Sequence, residues 1–357
     1  MRKVLVVVLC AMALLCSAQL PQKQIKVDLP ALLDEVDKAI DESPKFVSER
    51  EDKIEQTRKT IATAESDNQR LLLFMQLCQL YEGFNGDSAL TYTMRAAEMA
   101  RQLELTDVEA DYRARVAYLC TFLGSQTEAL TLLKRIDKNQ LSNEGLIIYY
   151  RAYLSSYESL AENCKTAELR KTFDHLHFLY RDSLLQAADN GSELYYFYRE
   201  ELFIKEGKVK EALKMNDNRL NQSGADSHQD AIVAYSRYRI YQRGGNRELA
   251  LYWLCRSALA DIRNAVMDQM SLISLAKELD ADGDFERASR YINFTWDSNR
   301  RYSPHMRSWQ IAPLQSAIEN NYQRRLDQKN QYLMASVACS LVLLILLILV
   351  STKKKRE

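Results

Sequence analysis

The chain has 357 residues, 27% of them charged, and its 48 lysines and arginines balance 48 aspartates and glutamates. A balanced chain has no global field to draw in nucleic acid or an acidic surface. Its seven cysteines are too few for a disulfide scaffold at this length.

The first residues read as a secretory signal. Arg2 and Lys3 form a basic start, residues 4–15 an apolar stretch, and Cys16-Ser17-Ala18 a small-residue end before Gln19. That pattern predicts cleavage after Ala18, making residues 1–18 a signal peptide. Cys10 and Cys16 leave with it, and Cys339 falls in an apolar run, so Cys78, Cys120, Cys164 and Cys255 remain for an exported domain. They read as small apolar residues on helix faces, with one disulfide left open as an alternative.

Residues 19–64 are expected to form an N-terminal helical cap. Leu32, Leu33, Val36 and Ile40 make a short apolar face, which Ser43-Pro44 should interrupt. Residues 49–59 are mostly charged and read as a solvated helix covering the end of a repeat array.

Residues 65–303 carry the helical signal. The five prolines are Pro21, Pro30, Pro44, Pro304 and Pro313, and none falls between Lys45 and Ser303. A β domain of that length would use prolines in its turns, whereas helices exclude them. Leu71, Phe74, Leu77, Cys78 and Tyr81 recur at the spacing of one helical face. An internal repeat organises the region. Gly124, Gly207, Gly245 and Gly283 precede Ala129, Ala212, Ala250 and Ala288, and Gly86 precedes Ala89 in a shorter turn. Glycine ends the first helix of a pair, and alanine lets the second pack closely on it. The interval between Ala129 and Ala212 should hold one degenerate unit.

This spacing resembles the tetratricopeptide repeat. Ala117 and Ala276 stand at that family's small position before the turn glycine, and Val116, Leu272 and Leu275 at large apolar ones. The units ending at Gly207 and Gly245 depart, with Arg199-Glu200 and Arg237-Tyr238 at those places. The resemblance implies an α-solenoid whose first helices line a concave ligand groove. In that register Tyr118, Tyr235, Arg239 and Lys277 face the groove. Tyr149, Tyr153 and Tyr157 share one helical face and read as helix packing or as a ligand surface.

Residues 304–331 are expected to form a juxtamembrane helix, with Pro304 and Pro313 framing Trp309 and the helix running from Leu314. Residues 332–350 carry no charge. As a helix they span about 28 Å, close to the hydrocarbon thickness of a bilayer. Residues 351–357 then read as a short cytoplasmic tail, with Lys353, Lys354, Lys355 and Arg356 as its topology anchor. Contact of those charges with anionic lipid is the alternative.

Three segments are similar to a bacterial family of exported, membrane-anchored regulators of uncharacterised function: Asp87–Tyr92, Ser257–Val266 and Gly283–Ile292. Its members combine a signal peptide, a tetratricopeptide-like periplasmic domain, one membrane helix, a cytoplasmic coiled coil and an expected DNA-binding output. The coiled coil and output have no counterpart in the residues after Val350.

Catalytic signatures are absent. The four histidines fit no metal spacing, and no phosphate loop, nucleophile elbow or Cys-x-x-Cys occurs. No enzyme activity, cofactor or metal is therefore expected. The sequence reads as an all-α chain: an α-solenoid of tetratricopeptide-like hairpins followed by a single transmembrane helix. The expected function is a membrane-anchored periplasmic protein-binding module, acting as an adaptor or as the sensing domain of an envelope regulator. Its partners would be proteins or peptides in the periplasm or inner membrane, with no nucleic-acid contact. A transmembrane transcriptional regulator lacking its cytoplasmic output is the alternative.

Overall fold

The computed structural model describes residues 27–302 and 308–354. The expected signal peptide, residues 19–26, Pro304, Lys355 and Arg356 lie outside the described residues. The described residues form α-helices and no strands. In order these are α1 (Leu29–Ala62), α2 (Asp67–Tyr81), α3 (Gly86–Gln102), α4 (Thr106–Phe122), α5 (Gln126–Leu133), α6 (Asn143–Asn163) and α7 (Ala167–Ala187). Then come α8 (Glu193–Lys205), α9 (Val209–Gln222), α10 (His228–Arg243), α11 (Arg247–Arg263), α12 (Met270–Asp282), α13 (Phe285–Tyr302) and α14 (Ser308–Lys354).

Helices α2 to α13 pair as six hairpins, an α-solenoid. Local chemistry sets their ends. The side chains of Ser66, Asn85, Ser142, Ser192, Ser227 and Asn246 each accept the backbone N–H three residues on, which satisfies an orphan donor of the first turn. Gly124, Gly207, Gly245 and Gly283 all have φ between 72° and 83°. The N–H after each glycine bonds back to the carbonyl five residues earlier, as in Ser125 to Cys120 at 2.9 Å and Asp284 to Leu279 at 2.9 Å. This closing turn needs a left-handed residue that only glycine adopts at no cost. In the first hairpin the left-handed residue is Gly83, φ 70°, whereas Gly86 is already helical. The repeat alanines 89, 129, 212, 250 and 288 are buried, as are Ala117 and Ala276.

The degenerate unit is α6–α7. It has no turn glycine and replaces the alanine contact with aromatic packing. Tyr153 of α6 stacks on Tyr180 of α7 with ring centroids 4.2 Å apart, and Tyr149 and Tyr153 are buried. The tyrosine stripe is therefore helix-to-helix packing.

One expectation at the N-terminal flank is corrected: Pro44 does not interrupt α1, which runs through it for 34 residues. Residues 49–59 are mostly exposed, but α1 is packed on both sides of Pro44. Its first half buries Leu33, Val36, Ala39 and Ile40 in the largest core cluster, together with residues of α10 to α14. Its second half buries Ile54 against Leu77, Phe84 and Met267. A helix interrupted at Pro44 would lose one of these docks, and two well-packed faces outweigh the roughly 3 kcal/mol cost of an internal proline. α1 thus straps the last hairpins to the first, and the solenoid closes on itself. Arg50 completes the seam by donating to the carbonyls of Leu80 (2.9 Å), Glu82 (2.7 Å) and Asn264 (2.8 Å). Beside it the Met267 N–H donates to the Gly83 carbonyl at 2.7 Å.

Pro313 likewise sits inside α14. Ile311 and Ile318 of α14 are buried in the main core cluster, with Leu314 packed against it. Gln315 donates to Asn293, Ser289 donates to Glu319, and Asn321 donates to Asp280. The same helix then leaves the body. Residues 331–348 are exposed along their whole circumference, and they include Leu341, Val342, Leu343, Leu344, Ile345, Leu346, Leu347 and Ile348. Their length and composition are those of a single membrane span. Lys353 and Lys354 lie in its last turn.

Candidate functional site

A cavity of about 320 Å3, open to the surface, lies between the early and late hairpins. One side is lined by Tyr118, Leu119 and Phe122 of α4 and Arg151 of α6. The other is lined by His228, Ile232 and Tyr235 of α10, Ser257 and Asp261 of α11, and Met270 and Ser271 of α12. Glu82, Gly83 and Val266 come from the seam that Arg50 holds. His228, Ile232 and Tyr235 fall at i, i+4 and i+7, so one face of α10 supplies a whole wall. Phe122 and Ile232 are exposed there, as large apolar side chains without a protein partner over their outer surface.

Polar groups punctuate this surface. Arg151 donates to the Tyr118 hydroxyl at 2.6 Å and lies 4.7 Å from that ring's centroid. Burial pushes the Tyr118 phenol up, with the Arg151 charge opposing. Among the described residues no carboxylate stands within ion-pair distance of Arg151; it bonds to the phenols of Tyr118 and Tyr198, and the Glu82 carboxylate acts on it from farther away. Opposite, buried Asp261 accepts from Ser271 at 3.0 Å and lies 3.1 Å from the His228 ring. The Tyr235 hydroxyl meets Ser274 at 3.2 Å.

Of the residues expected in a groove, Tyr118 and Tyr235 come to this cavity from different helices. Arg239 pairs with Glu201, and Lys277 is exposed on α12; neither lines it. Sequence reasoning missed Arg151, His228, Asp261 and Phe122. Only His228 carries a local signal, its shared face with Ile232 and Tyr235 on α10; the others have none, because the cavity exists only once distant hairpins meet. Cys78, Cys120 and Cys255 are buried free thiols and Cys164 is half-buried. Burial pushes Cys120 up to about 11 and Cys255 up to about 12, so these two stay protonated and act as packing.

The His228–Asp261 pair carries a testable titration. Burial disfavours imidazolium, but the Asp261 hydrogen bond and charge outweigh it and raise His228 above its ordinary 6.5; Glu82 adds to the rise and Arg50 opposes it. A histidine raised by folding stabilises the fold below its unfolded pKa and loses that contribution as pH rises through the folded one. Asp261→Asn is therefore expected to bring the His228 midpoint in an NMR titration down. It should also weaken stability more at pH 5.5 than at pH 8.5. An unmoved midpoint would show that Asp261 does not control the ring.

The repeat geometry and its match to known proteins agree. The model of the SusR N-terminal TPR domain, a bacterial regulator family, matches residues 40–313. The chain belongs to this family. Tetratricopeptide domains are protein-interaction folds built by stacking helical hairpins. Among solved structures, the TPR2AB-domain:pHSP90 complex of yeast Sti1 is similar over 80% of this chain and 98% of that one, at 16% identity and a TM-score of 0.30. No curated protein matches the chain.

Proposed function

We propose that this SusR-family chain is a membrane-anchored receptor module. It would be held in the bacterial inner membrane by one helix with its solenoid in the periplasm, and would serve as an adaptor or as the sensing domain of an envelope regulator. The observation that carries the reading is the continuity of α14. Ile311 and Ile318 fix its first turns in the core that also holds α1 and α12, and the same helix proceeds without a break into the apolar span. A domain joined in this way cannot rotate freely on its anchor, so a change in its packing is conveyed to the membrane helix. The cavity supports the sensing role because it lies against the seam closed by α1, and α1 shares its core with α14. The basic residues 353–356 support a cytoplasmic end.

Two measurements in intact spheroplasts test this. A membrane-impermeant maleimide should label a cysteine introduced at exposed Lys277 and spare one introduced at Lys354; the reverse pattern would refute the orientation. A photoreactive phenylalanine analogue at Phe122 or Ile232 should capture a defined envelope protein or peptide. If positions across residues 65–300 capture none, the adaptor and sensor readings both fall.

A further inference from the structure

We infer that the solenoid-side end of the membrane span carries a lipid site: Arg325, Lys329 and Tyr332 of α14 hold the headgroup phosphate of an anionic phospholipid in the adjoining leaflet. The inference goes beyond the receptor reading. It needs only that α14 crosses a bilayer, and it holds for either orientation of the span.

Four observations point this way. First, α14 fixes where the membrane surface falls. It is buried in the core as far as Ile318 and bonded to the body as far as Asn321, and from residue 331 its whole circumference is exposed. Between these lies a helical stalk, residues 323–330, in which only Leu326 is partly covered. The stalk ends where the apolar run begins, so its last turn stands in the headgroup layer. Second, the stalk has a cationic side. At about 100° per residue, Arg325, Lys329 and Tyr332 fall within an arc of roughly 60°, and the stalk's one acid, Asp327, falls on the opposite side. The three positions cover about 10 Å of helix, enough to cross a headgroup layer roughly 5–8 Å thick. Tyr332, at the membrane-side edge, suits a boundary with acyl chains on one side and polar headgroups on the other. Third, the two cations are uncommitted. Arg325 and Lys329 are exposed and make no ion pair or side-chain hydrogen bond among the described residues. Acids at the end of α12, where α14 leaves the body, are already engaged: Asp280 accepts from Asn321, and Asp282 pairs with Arg247. A guanidinium fork and an ammonium one turn apart suit a phosphate group, and a net negative lipid answers both charges. Fourth, the same side of the helix continues into the span with Ser336, Cys339 and Ser340, and the Ser340 hydroxyl turns back to the Ser336 carbonyl at 2.9 Å. Small side chains there leave a shallow strip that admits an acyl chain close to the backbone. A dissolved phosphate would use the charges alone, whereas a phospholipid uses the charges and the strip.

The test uses the full chain in detergent micelles, titrated with phosphatidylglycerol or with phosphatidylcholine of the same acyl chains, and counts bound lipids by native mass spectrometry. The first phosphatidylglycerol should bind at least about tenfold more tightly than phosphatidylcholine. Arg325→Gln combined with Lys329→Gln should erase that preference while leaving phosphatidylcholine binding and the helical circular dichroism unchanged, a selectivity that a misfolded variant would not show. Lys353→Gln combined with Lys354→Gln, at the far end of the span, should keep the preference. Glycerol 3-phosphate in large excess should not displace the lipid. Equal binding of the two lipids, or a stalk variant that keeps the preference, would overturn the inference. Displacement by glycerol 3-phosphate would reduce the site to one for dissolved phosphate and overturn it too. So would chains that pair along the strip from Ser336 to Ser340 and retain no lipid, since that face would then belong to a second copy.

Discussion

Arg219→Met is expected to lower the unfolding free energy by about 3–5 kcal/mol. Arg219 has no exposed side-chain surface, and neither has Glu200, to which it donates at 2.9 Å. It also donates to Glu193 at 2.7 Å and to Ser236 at 3.2 Å, and Asn216 donates to Glu200 at 3.2 Å. Removing the guanidinium leaves the Glu200 carboxylate in a water-free site with one amide for company, which costs far more than an exposed pair would. A double replacement, Glu200→Leu with Arg219→Met, should recover most of the loss, since an apolar pair of similar volume needs no partner. The effect carries a pH signature. Burial pushes the Glu200 carboxyl above the ordinary glutamate value of 4.5, with the Arg219 charge opposing. A carboxyl raised by folding contributes stability below its unfolded pKa and loses it as pH rises through the folded one. Without Arg219 it rises further, so the penalty should be fully expressed at neutral pH and shrink toward about pH 4. Urea denaturation followed by circular dichroism at the two pH values measures this. An equal loss at both would show that the pair is not what holds α8, α9 and α10 together.

Arg50→Met is the second large effect, expected at roughly 3 kcal/mol and expressed locally rather than throughout. The three carbonyls that Arg50 binds end α2 and α11, which it thereby ties together. Its guanidinium also lies 5.4 Å from the centre of the Phe84 ring. Charge-assisted bonds of this kind are among the stronger ones, though water at the rim re-solvates part of what is lost. The Met267 N–H, which donates to Gly83 across the same seam, should then exchange with deuterium about 100-fold faster. Amides in the α6–α7 tyrosine stack should be unchanged. Arg58→Met, which breaks an exposed pair with Glu55, is the control and should shift stability by less than about 0.5 kcal/mol. Equal exchange at Met267 in Arg50→Met would mean the seam is held by packing alone.

The departures from repeat spacing turn out to be informative. Glu200 and Arg237 stand where a small residue and a large apolar one are expected, and both are buried. Arg237 donates to Asn216 at 3.1 Å and to Asp217 at 2.6 Å, and its guanidinium lies 4.8 Å from the Trp253 ring. The pattern is broken by a set of polar residues that satisfy one another across three helices. No single-helix periodicity reveals such a set, because each member is explicable only by partners 16 to 26 residues away.

By itself the sequence determined the all-helical class, the glycine-closed turns, the alanine contacts and the apolar segment of α14. Each of these is local: proline exclusion, a left-handed turn residue and a one-face spacing act within one or two turns of chain. Only the tertiary structure decided that α1 runs through Pro44 to strap the ends of the solenoid, that Pro313 lies within a helix docked in the core, and that Tyr118 and Tyr235 face a cavity that Arg239 and Lys277 do not reach. Those outcomes depend on contacts such as Arg50 with Asn264 and Arg287 with Asp37, more than two hundred residues apart. Burial between surfaces so distant outweighs the preferences of any single residue, and no local pattern encodes which surfaces will meet.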